Sequence, residues 1–324
     1  MNLYPLKFEP ILKEKIWGGN YLNQLLNKKN IYPNIGESWE ISGIRNNVSI
    51  INNGFLQENN LHEIIKIYKN ELVGNRIYDE FGTEFPLLIK FIDAQEDLSI
   101  QVHPNNKQAK DKHNSYGKTE IWYVLHAEKD AKLISGFSEN IDKETFEKHL
   151  KNNTLDEILN YENVKTGDVF FIPSGRVHSI GKGIVVAEIQ QTSDITYRLY
   201  DYNRLENGKL RELHTKEALD VIDFQKYDNY KTQYTPKLNE SIKLESNEFF
   251  TVNLLEFNTL VERDFQLLDS FVIYVCVEGK MEIETIGNEK ITLQKGESVL
   301  VPACIKKAMI NAPKKAKLLE IYIK

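Results

Sequence analysis

One pattern occurs twice in this 324-residue sequence, in residues 167–178 and 296–307. Each copy has a glycine, five residues, a proline and, five residues after the proline, a polar side chain, which is His178 in the first copy and Lys307 in the second. A turn glycine, an apolar strand and a corner proline are typical of β-sheet proteins. The repeat therefore predicts two β domains of one kind, with a ligand histidine in the first copy alone.

The rest of the sequence indicates a mainly β chain. Short alternating apolar runs are separated by turns rich in Gly, Pro and Asn, as in sandwiches and barrels. Helical spacing is limited to a few short stretches, such as residues 61–72. The polar stretch 225–240 lacks periodicity and precedes a new β-rich pattern. We interpret it as the boundary between two domains, residues 1–235 and 236–324, although an extended arm packed on the first barrel would have the same composition.

Composition excludes several classes of function. Lys and Arg total 41 against 47 Asp and Glu, so the formal charge of −6 predicts no broad attraction to nucleic acid or to an anionic membrane. No apolar run approaches the roughly 18 residues of a membrane-spanning helix, and no signal peptide is apparent. Cys276 and Cys304 lie in apolar segments, which favours reduced thiols over a disulfide. We expect a cytoplasmic protein that acts on a small molecule, as a monomer or a homodimer.

Polar side chains on three predicted strands form a candidate metal site. In residues 98–103, strand alternation places one amide and one imidazole on the same face as Ser99. The strand of residues 118–125 contributes a carboxylate, and a third strand after Pro173 contributes another imidazole. This set suits Zn²⁺ or a similar divalent ion, with one or two positions left open. The candidate ligands are Gln101, His103, Glu120 and His178.

Several segments together resemble one protein family. Residues 167–178 fit the second motif of the cupin superfamily, and the stretch from Gln101 to Glu120 is similar to a lengthened first motif with Gln where His is usual. More specifically, the chain resembles the type I mannose-6-phosphate isomerases in their compact bacterial form. The similarity covers nearly all of residues 1–220 and, more loosely, the remainder. The resembling segments are residues 14–19, 36–42, 99–104, 117–120, 173–178 and 188–198.

The resemblance implies both a fold and a reaction. The implied fold is a pair of cupin-type β jelly-roll barrels with short helical inserts, a catalytic domain followed by a metal-free one. Lys307 replaces a histidine in the second repeat, so no metal is expected there. The family's zinc ligands fall on the four candidate ligands, one Zn²⁺ per chain, and its active-site arginine falls on Arg198. The implied reaction is the interconversion of mannose 6-phosphate and fructose 6-phosphate, a step of carbohydrate metabolism.

Such an isomerisation passes through an enediol and needs a base, a cation and a phosphate clamp. Glu188 is the candidate base, because burial on the apolar strand of residues 184–190 is expected to raise its pKa. Pairing of Glu188 with Arg198 is the alternative. Arg198 would stabilise the enediolate or hold the phosphate, and Lys118 is a catalytic candidate as well. The phosphate candidates are Ser99, Lys118 and Arg204, of which the last could equally be an ordinary surface charge.

Two other functions fit part of the same pattern. Two histidines and one carboxylate also describe the iron site of non-haem oxygenases, although an amide ligand and a set of Arg and Lys favour the isomerase. A non-catalytic cupin that senses sugar is the second alternative, but no helix-turn-helix or basic stripe accompanies the pattern. Oxygen uptake with Fe²⁺ and a reductant would identify the oxygenase. Sugar binding without exchange at C1 or C2 would identify the sensor.

Overall fold

β-Strands make up most of the secondary structure of this chain, as the sequence predicts. The computed structural model describes residues 3–29, 32–285 and 290–324. In chain order the strands are β1 (Ile11–Gly19), β2 (Ile35–Ser42), β3 (Leu87–Ala94), β4 (Ile100–Val102), β5 (Glu120–Ala127), β6 (Lys132–Phe137), β7 (Leu159–Asn163), β8 (Val169–Ile172), β9 (His178–Ser179), β10 (Ile184–Gln191), β11 (Tyr197–Tyr200), β12 (Leu205–Glu206), β13 (Lys209–Leu210), β14 (Glu240–Ser246), β15 (Thr251–Phe257), β16 (Val261–Asp264), β17 (Val272–Glu278), β18 (Lys280–Thr285), β19 (Lys290–Gln294), β20 (Ser298–Val301), β21 (Lys307–Asn311) and β22 (Ala316–Tyr322).

The helices are short and lie between the strands. They are α1 (Tyr21–Leu26), α2 (Leu61–Tyr68), α3 (Asn70–Val73), α4 (Asn75–Phe81), α5 (Asn106–His113), α6 (Lys143–Asn152) and α7 (Thr215–Leu219). The helical spacing predicted at residues 61–72 is divided between α2 and α3, because Lys69 adopts a positive φ of 48° that ends the first of them. Within the described residues, none of the helices has the length and apolar character needed to cross a membrane.

The first half of the chain forms a sandwich of two antiparallel sheets. The larger sheet has the strand order β1-β2-β3-β10-β5-β8, and the smaller has the order β11-β4-β9-β6-β7. Apolar side chains from both sheets, including Ile92, Val186 and Leu133, pack between them. Because side chains alternate along a strand, the same face of the larger sheet also carries Lys90 and Glu188 into the interior.

The second half forms a smaller sandwich of the same kind. Its sheets have the strand orders β14-β15-β22-β17-β20 and β16-β21-β18-β19. Cys276 is buried in this sandwich and Cys304 is exposed, and both are free thiols. Lys307, which stands at the position of the ligand histidine in the second repeat, has a side chain that is 41% exposed and lies 3.3 Å from Glu262. Its ammonium therefore points to the surface and not into the sandwich.

A buried carboxylate is the centre of a polar network in the second sandwich. Arg263 donates to both carboxylate oxygens of Glu320, at 2.8 and 2.6 Å, while Tyr274 and Asn253 donate at 3.1 and 3.2 Å. Asn253 and Tyr274 are the neighbours of Glu320 on the adjacent strands β15 and β17. The corresponding positions on β3, β10 and β5 of the first sandwich hold Lys90, Glu188 and Trp122.

The larger sheets of the two sandwiches pack against each other. Ile89 of β3 and Ile189 of β10 are buried in one apolar cluster with Leu254 of β15. Leu6 and Leu300 exchange backbone hydrogen bonds of 2.8 and 2.9 Å, which ties the first residues of the chain to the second sandwich. The sheet that points charged side chains into the first sandwich is therefore covered on its other face by the second.

The polar stretch between the two halves runs along the first sandwich. The hydroxyl of Tyr230 donates to the carbonyl of Phe137 at 2.9 Å, and the backbone of Thr232 donates to the carbonyl of Val169 at 2.8 Å. A new sheet starts only with β14. The stretch is thus an extended arm on the first sandwich, and the domain boundary predicted within it stays a prediction.

Candidate active site

Three buried side chains converge inside the first sandwich. His103 follows β4, Glu120 begins β5 and His178 begins β9. The Nε2 atoms of His103 and His178 lie 3.7 and 3.4 Å from the carboxylate oxygens of Glu120, and the ligand atoms of the three groups all lie within 4.8 Å of one another. Each side chain is at most 1% exposed. The structure thus brings together three of the four predicted ligands as a candidate metal centre.

Gln101, the fourth predicted ligand, is the strand partner of His178 across β4 and β9. Its amide nitrogen lies 3.4 Å from Nε2 of His178. The oxygen and nitrogen of a side-chain amide exchange places by a simple flip, so the same position can present the oxygen to a cation. Gln101 therefore joins the cluster, as its position on the strand predicts.

Backbone carbonyls orient both imidazoles for metal binding. Nδ1 of His103 donates to the carbonyl of Ile195 at 2.9 Å, and Nδ1 of His178 donates to that of Arg176 at 2.8 Å. Since a carbonyl can only accept, the proton is on Nδ1 and the lone pair of Nε2 points into the cluster. Burial, with a smaller contribution from nearby charges, lowers the pKa of His103 well below its usual value and that of His178 to about 3. Both rings are neutral, which is the form that binds a metal ion.

A tight turn brings the strand of His178 next to that of His103. Gly175 has a φ of +87°, and a Cβ there would lie 2.9 Å from the carbonyl of Val221. Its backbone amide donates to the carbonyl of His103 at 2.9 Å. Gly175 is therefore required by a left-handed backbone conformation and by a close approach of two chain segments.

The environment of the Glu120 carboxylate suits a divalent cation. Nζ of Lys118 lies 3.1 Å from Oε2 of Glu120 and 3.1 Å from Nε2 of His103. Apart from this ion pair, Oε2 has no hydrogen-bond partner among the described residues. Burial and the negative charge of Glu188 raise the pKa of Glu120. A buried acceptor without a hydrogen bond, beside two neutral imidazoles, is the environment that a divalent ion would complete.

A polar cavity of about 130 Å³ lies beside the cluster, and of the four candidate ligands Gln101 lines it. A larger depression of about 460 Å³, near Glu297, contains none of the candidate ligands. Tryptophan, lysine, arginine and carboxylate side chains line the smaller cavity, which is therefore suited to a polar, anionic ligand. Among the predicted site residues, those that line it are Ser99, Gln101, Lys118, Glu188 and Arg198.

Two ion pairs lie side by side on the floor of the cavity. Nζ of Lys90 is 3.1 Å from Oε1 of Glu188, and Nζ of Lys15 is 3.2 Å from Oε1 of Glu37. The second oxygen of each carboxylate accepts an indole N–H, from Trp122 at 2.9 Å for Glu188 and from Trp39 at 2.6 Å for Glu37. Lys90 was not among the predicted site residues. A single lysine within the apolar run of β3 nevertheless indicates a buried charge with a specific partner.

The environment of Glu188 differs from the sequence prediction in two respects. Its partner is Lys90 and not Arg198. Burial does oppose its ionisation, but the positive charges of Lys90 and Lys118 outweigh burial and lower its pKa. The expectation of a raised pKa was therefore wrong, because the pairing of β10 with β3 places a cation beside Glu188. Glu188 is ionised in the cavity.

The predicted arginines lie in different places. Arg198 lines the cavity, and its Nη1 donates to the carbonyl of Glu212 at 2.8 Å. Arg204 does not reach the cavity, since its guanidinium is bound to the carbonyl of Asp97 at 2.6 Å and to the carboxylate of Asp201. Arg211, which the sequence did not single out, lines the cavity instead. Nothing in the contacts of Arg204 supports its predicted phosphate role.

Comparison with known proteins gives consistent matches along the chain. Residues 5–119 match the family model described as phosphomannose isomerase type I, catalytic domain, and residues 240–322 match that described as mannose-6-phosphate isomerase, cupin domain. The mannose-6-phosphate isomerase ManA of Bacillus subtilis is 35% identical over 309 residues, which are 93% of this chain and 94% of that protein. A mannose-6-phosphate isomerase of Streptococcus mutans is 36% identical over 304 residues, 93% of each chain.

Solved structures agree with these matches. The crystal structure of the mannose 6-phosphate isomerase from Bacillus subtilis superposes with a TM-score of 0.89 at 30% identity, covering 99% of this chain and all of that one. A phosphomannose isomerase variant from Salmonella typhimurium, at 17% identity and a TM-score of 0.81, shares the fold. Fold and matches together define an enzyme of the cupin class. Within that class, the chain belongs to the type I phosphomannose isomerase family.

Proposed function

We propose that this chain is a metal-dependent aldose–ketose isomerase that interconverts mannose 6-phosphate and fructose 6-phosphate, with one Zn²⁺ per chain. The observation that carries the proposal is the buried cluster of His103, Glu120 and His178 beside a cavity lined by lysine and arginine. Relatives that are 35 and 36% identical bear the name of this activity, which supports the choice of substrate. A cytoplasmic location belongs to the same proposal.

The donor set of Gln101, His103, Glu120 and His178 would hold the ion. A bound divalent ion supplies Lewis-acid stabilisation of the negative charge that develops on the sugar oxygens, worth several kcal/mol. The protein supplies the rest. Three tryptophans, two ion pairs and the buried floor of the cavity hold the open-chain sugar away from bulk water and fix its orientation.

Glu188 is the group that we propose to move the proton. The isomerisation removes a proton from C2 of the aldose and returns it to C1, so one carboxylate can serve as base and then as acid. The ion pair with Lys90, at 3.1 Å, keeps Glu188 ionised, and the hydrogen bond that Trp122 donates at 2.9 Å fixes its orientation. Lys118, beside the ligands, is placed to donate to a sugar oxygen at the metal end of the cavity.

The proposal is tested by following mannose 6-phosphate in deuterated water with the purified protein. We expect fructose 6-phosphate to form with deuterium exchange at C1 or C2, the activity to disappear after treatment with a chelator, and Zn²⁺ to restore it. Metal analysis of the active protein is expected to give one ion per chain. Binding without exchange would contradict the proposal and favour the sugar sensor, and oxygen uptake with Fe²⁺ and a reductant would favour the oxygenase.

Replacing Lys118 by alanine is expected to weaken substrate binding and leave the metal in place. A hydrogen bond to a charged group contributes about 1.5–3 kcal/mol, so the KM for mannose 6-phosphate should rise about 10- to 100-fold. Nζ of Lys118 lies 3.1 Å from the candidate ligands Glu120 and His103, so removing its positive charge should not weaken the binding of a cation there. Lys112→Ala, on the partly exposed surface of α5, is the matched control. An unchanged KM, or loss of metal, would contradict this role of Lys118.

A further inference from the structure

A hairpin carries Arg211 to the cavity. After β11, the chain forms β12 and β13, which are joined by the two-residue turn Asn207–Gly208 with φ values of 53° and 76°. Positive φ at both turn residues fits the tight hairpin turn that Asn-Gly favours. The chain then returns along β11, where the amide of His214 donates to the carbonyl of Arg198 at 2.7 Å. Arg211 and Arg198 consequently lie at the same end of the cavity and both line it.

Ion pairs beside this end of the cavity involve two of three neighbouring arginines. Arg204 and Arg211 share the buried carboxylate of Asp201, which lies 3.2 Å from Nη1 of Arg211. The other acidic partner of Arg211 is Glu206, at 3.6 Å, and its side chain is 47% exposed. Arg198, the third guanidinium group here, has no carboxylate partner among the described residues.

Arg198 is the arginine with the least compensation. Its Nη1 donates to a backbone carbonyl, but its Nε is buried and has no hydrogen-bond partner among the described residues. Burial, and then the like charge of Arg211, lower its pKa. A buried N–H donor without an acceptor and two adjacent guanidinium groups are both unfavourable unless an anion lies between or beside them.

We propose that Arg211 binds the phosphate group of the substrate together with Arg198, and that it makes the enzyme selective for phosphorylated over free sugars. The choice of a sugar phosphate as the ligand rests on the proposed function. Guanidinium groups bind phosphate through paired N–H donors, and two of them match the charge of a phosphate dianion. The phosphate gives Arg198 Nε an acceptor and offsets the repulsion between the two arginines. The hydroxyls of Ser99 and Thr196 line the same cavity.

The test is the variant Arg211→Gln in the zinc-loaded protein, with binding measured apart from turnover. Glucitol 6-phosphate is the probe, because it has the phosphate but no carbonyl and cannot isomerise. We expect its affinity in calorimetry to fall about 10- to 100-fold, and the preference in kcat/KM for mannose 6-phosphate over mannose to fall similarly. Metal content should not change. Arg211→Lys, which keeps the charge beside Asp201, should recover part of the affinity.

Arg45→Gln is the matched control, since Arg45 is an exposed arginine that does not line the cavity. It is expected to keep the affinity for glucitol 6-phosphate. Equal affinity in wild type and Arg211→Gln would overturn the proposal, as would a wild type that does not bind the probe. If Arg211→Gln does not fold, equal affinity in Arg211→Lys and wild type would overturn it as well. A wild type that binds the probe, loses affinity in the variant and turns over no mannose 6-phosphate would refute the proposed isomerase activity while leaving the anion-binding role of Arg211 intact.

Discussion

His178→Ala is expected to leave the protein without stoichiometric metal and to lower kcat/KM for mannose 6-phosphate by at least about 10³-fold, since the ion contributes several kcal/mol and each 1.36 kcal/mol is a factor of ten. His178 is fully buried and lies 3.4 Å from both Glu120 and Gln101. Its loss leaves one imidazole, one carboxylate and one amide, too few neutral nitrogen donors for tight binding of Zn²⁺. Metal analysis after dialysis and a coupled isomerase assay measure the two effects.

His126→Ala is the matched control for the loss of a histidine. His126 lies on β5, the strand that Glu120 begins, and its ring packs against Tyr21 at a centroid distance of 4.9 Å. The control should keep both metal and turnover. Near-normal turnover by a metal-free His178→Ala protein would show that the cluster is not the catalytic centre.

Glu188→Gln is expected to keep the metal and to lower kcat by about 10²- to 10⁴-fold, the range for removal of a general base. The amide keeps the shape of the side chain but cannot accept the proton from C2. The exchange of deuterium into the sugar should fall by the same factor. The variant also leaves Lys90 buried without its partner, so a loss of stability of about 3–5 kcal/mol accompanies it. Normal turnover with metal bound would mean that the base is another residue.

Glu320→Gln separates the loss of the base from the loss of stability. Glu320 occupies the position in the second sandwich that corresponds to Glu188 in the first, and it is the buried partner of Arg263. Its substitution should lower the midpoint of thermal unfolding as Glu188→Gln does, while kcat at a temperature where the protein is folded stays close to that of the wild type. Equal losses of kcat in the two variants would attribute the effect of Glu188→Gln to destabilisation.

Strand alternation made much of the site predictable. Once residues 98–103 are taken as a strand, parity places Gln101 and His103 on the same face, and the structure brings both to His178. The same reasoning places Glu188 on the interior face of β10. These predictions depend on short-range geometry, which a sequence carries directly. The mainly β class follows from the same alternation along the whole chain.

The missed residues depend on contacts between distant segments. Lys90 lowers the pKa of Glu188 because β3 and β10 are neighbouring strands. The two residues are 98 positions apart in the sequence, and local patterns do not indicate which distant strands will pair. Arg211 reaches the cavity because the chain after the hairpin returns along β11. Nothing in the local sequence pattern distinguishes Arg211 from Arg204. Both bind Asp201 in the structure, but only Arg211 lines the cavity.

The floor of the cavity is formed by a single β-sheet. Lys90 lies between Ile89 and Phe91, and these two neighbours contact the second sandwich on the reverse side. An insertion or deletion of one residue in β3 would exchange the two faces, bringing the ammonium into the apolar contact between the halves and an aliphatic side chain into the cavity. We therefore expect changes of chain length to be tolerated only in the connections at the sheet ends. The β12–β13 hairpin, with its exposed turn, is a place where substrate preference could diverge while the floor stays fixed.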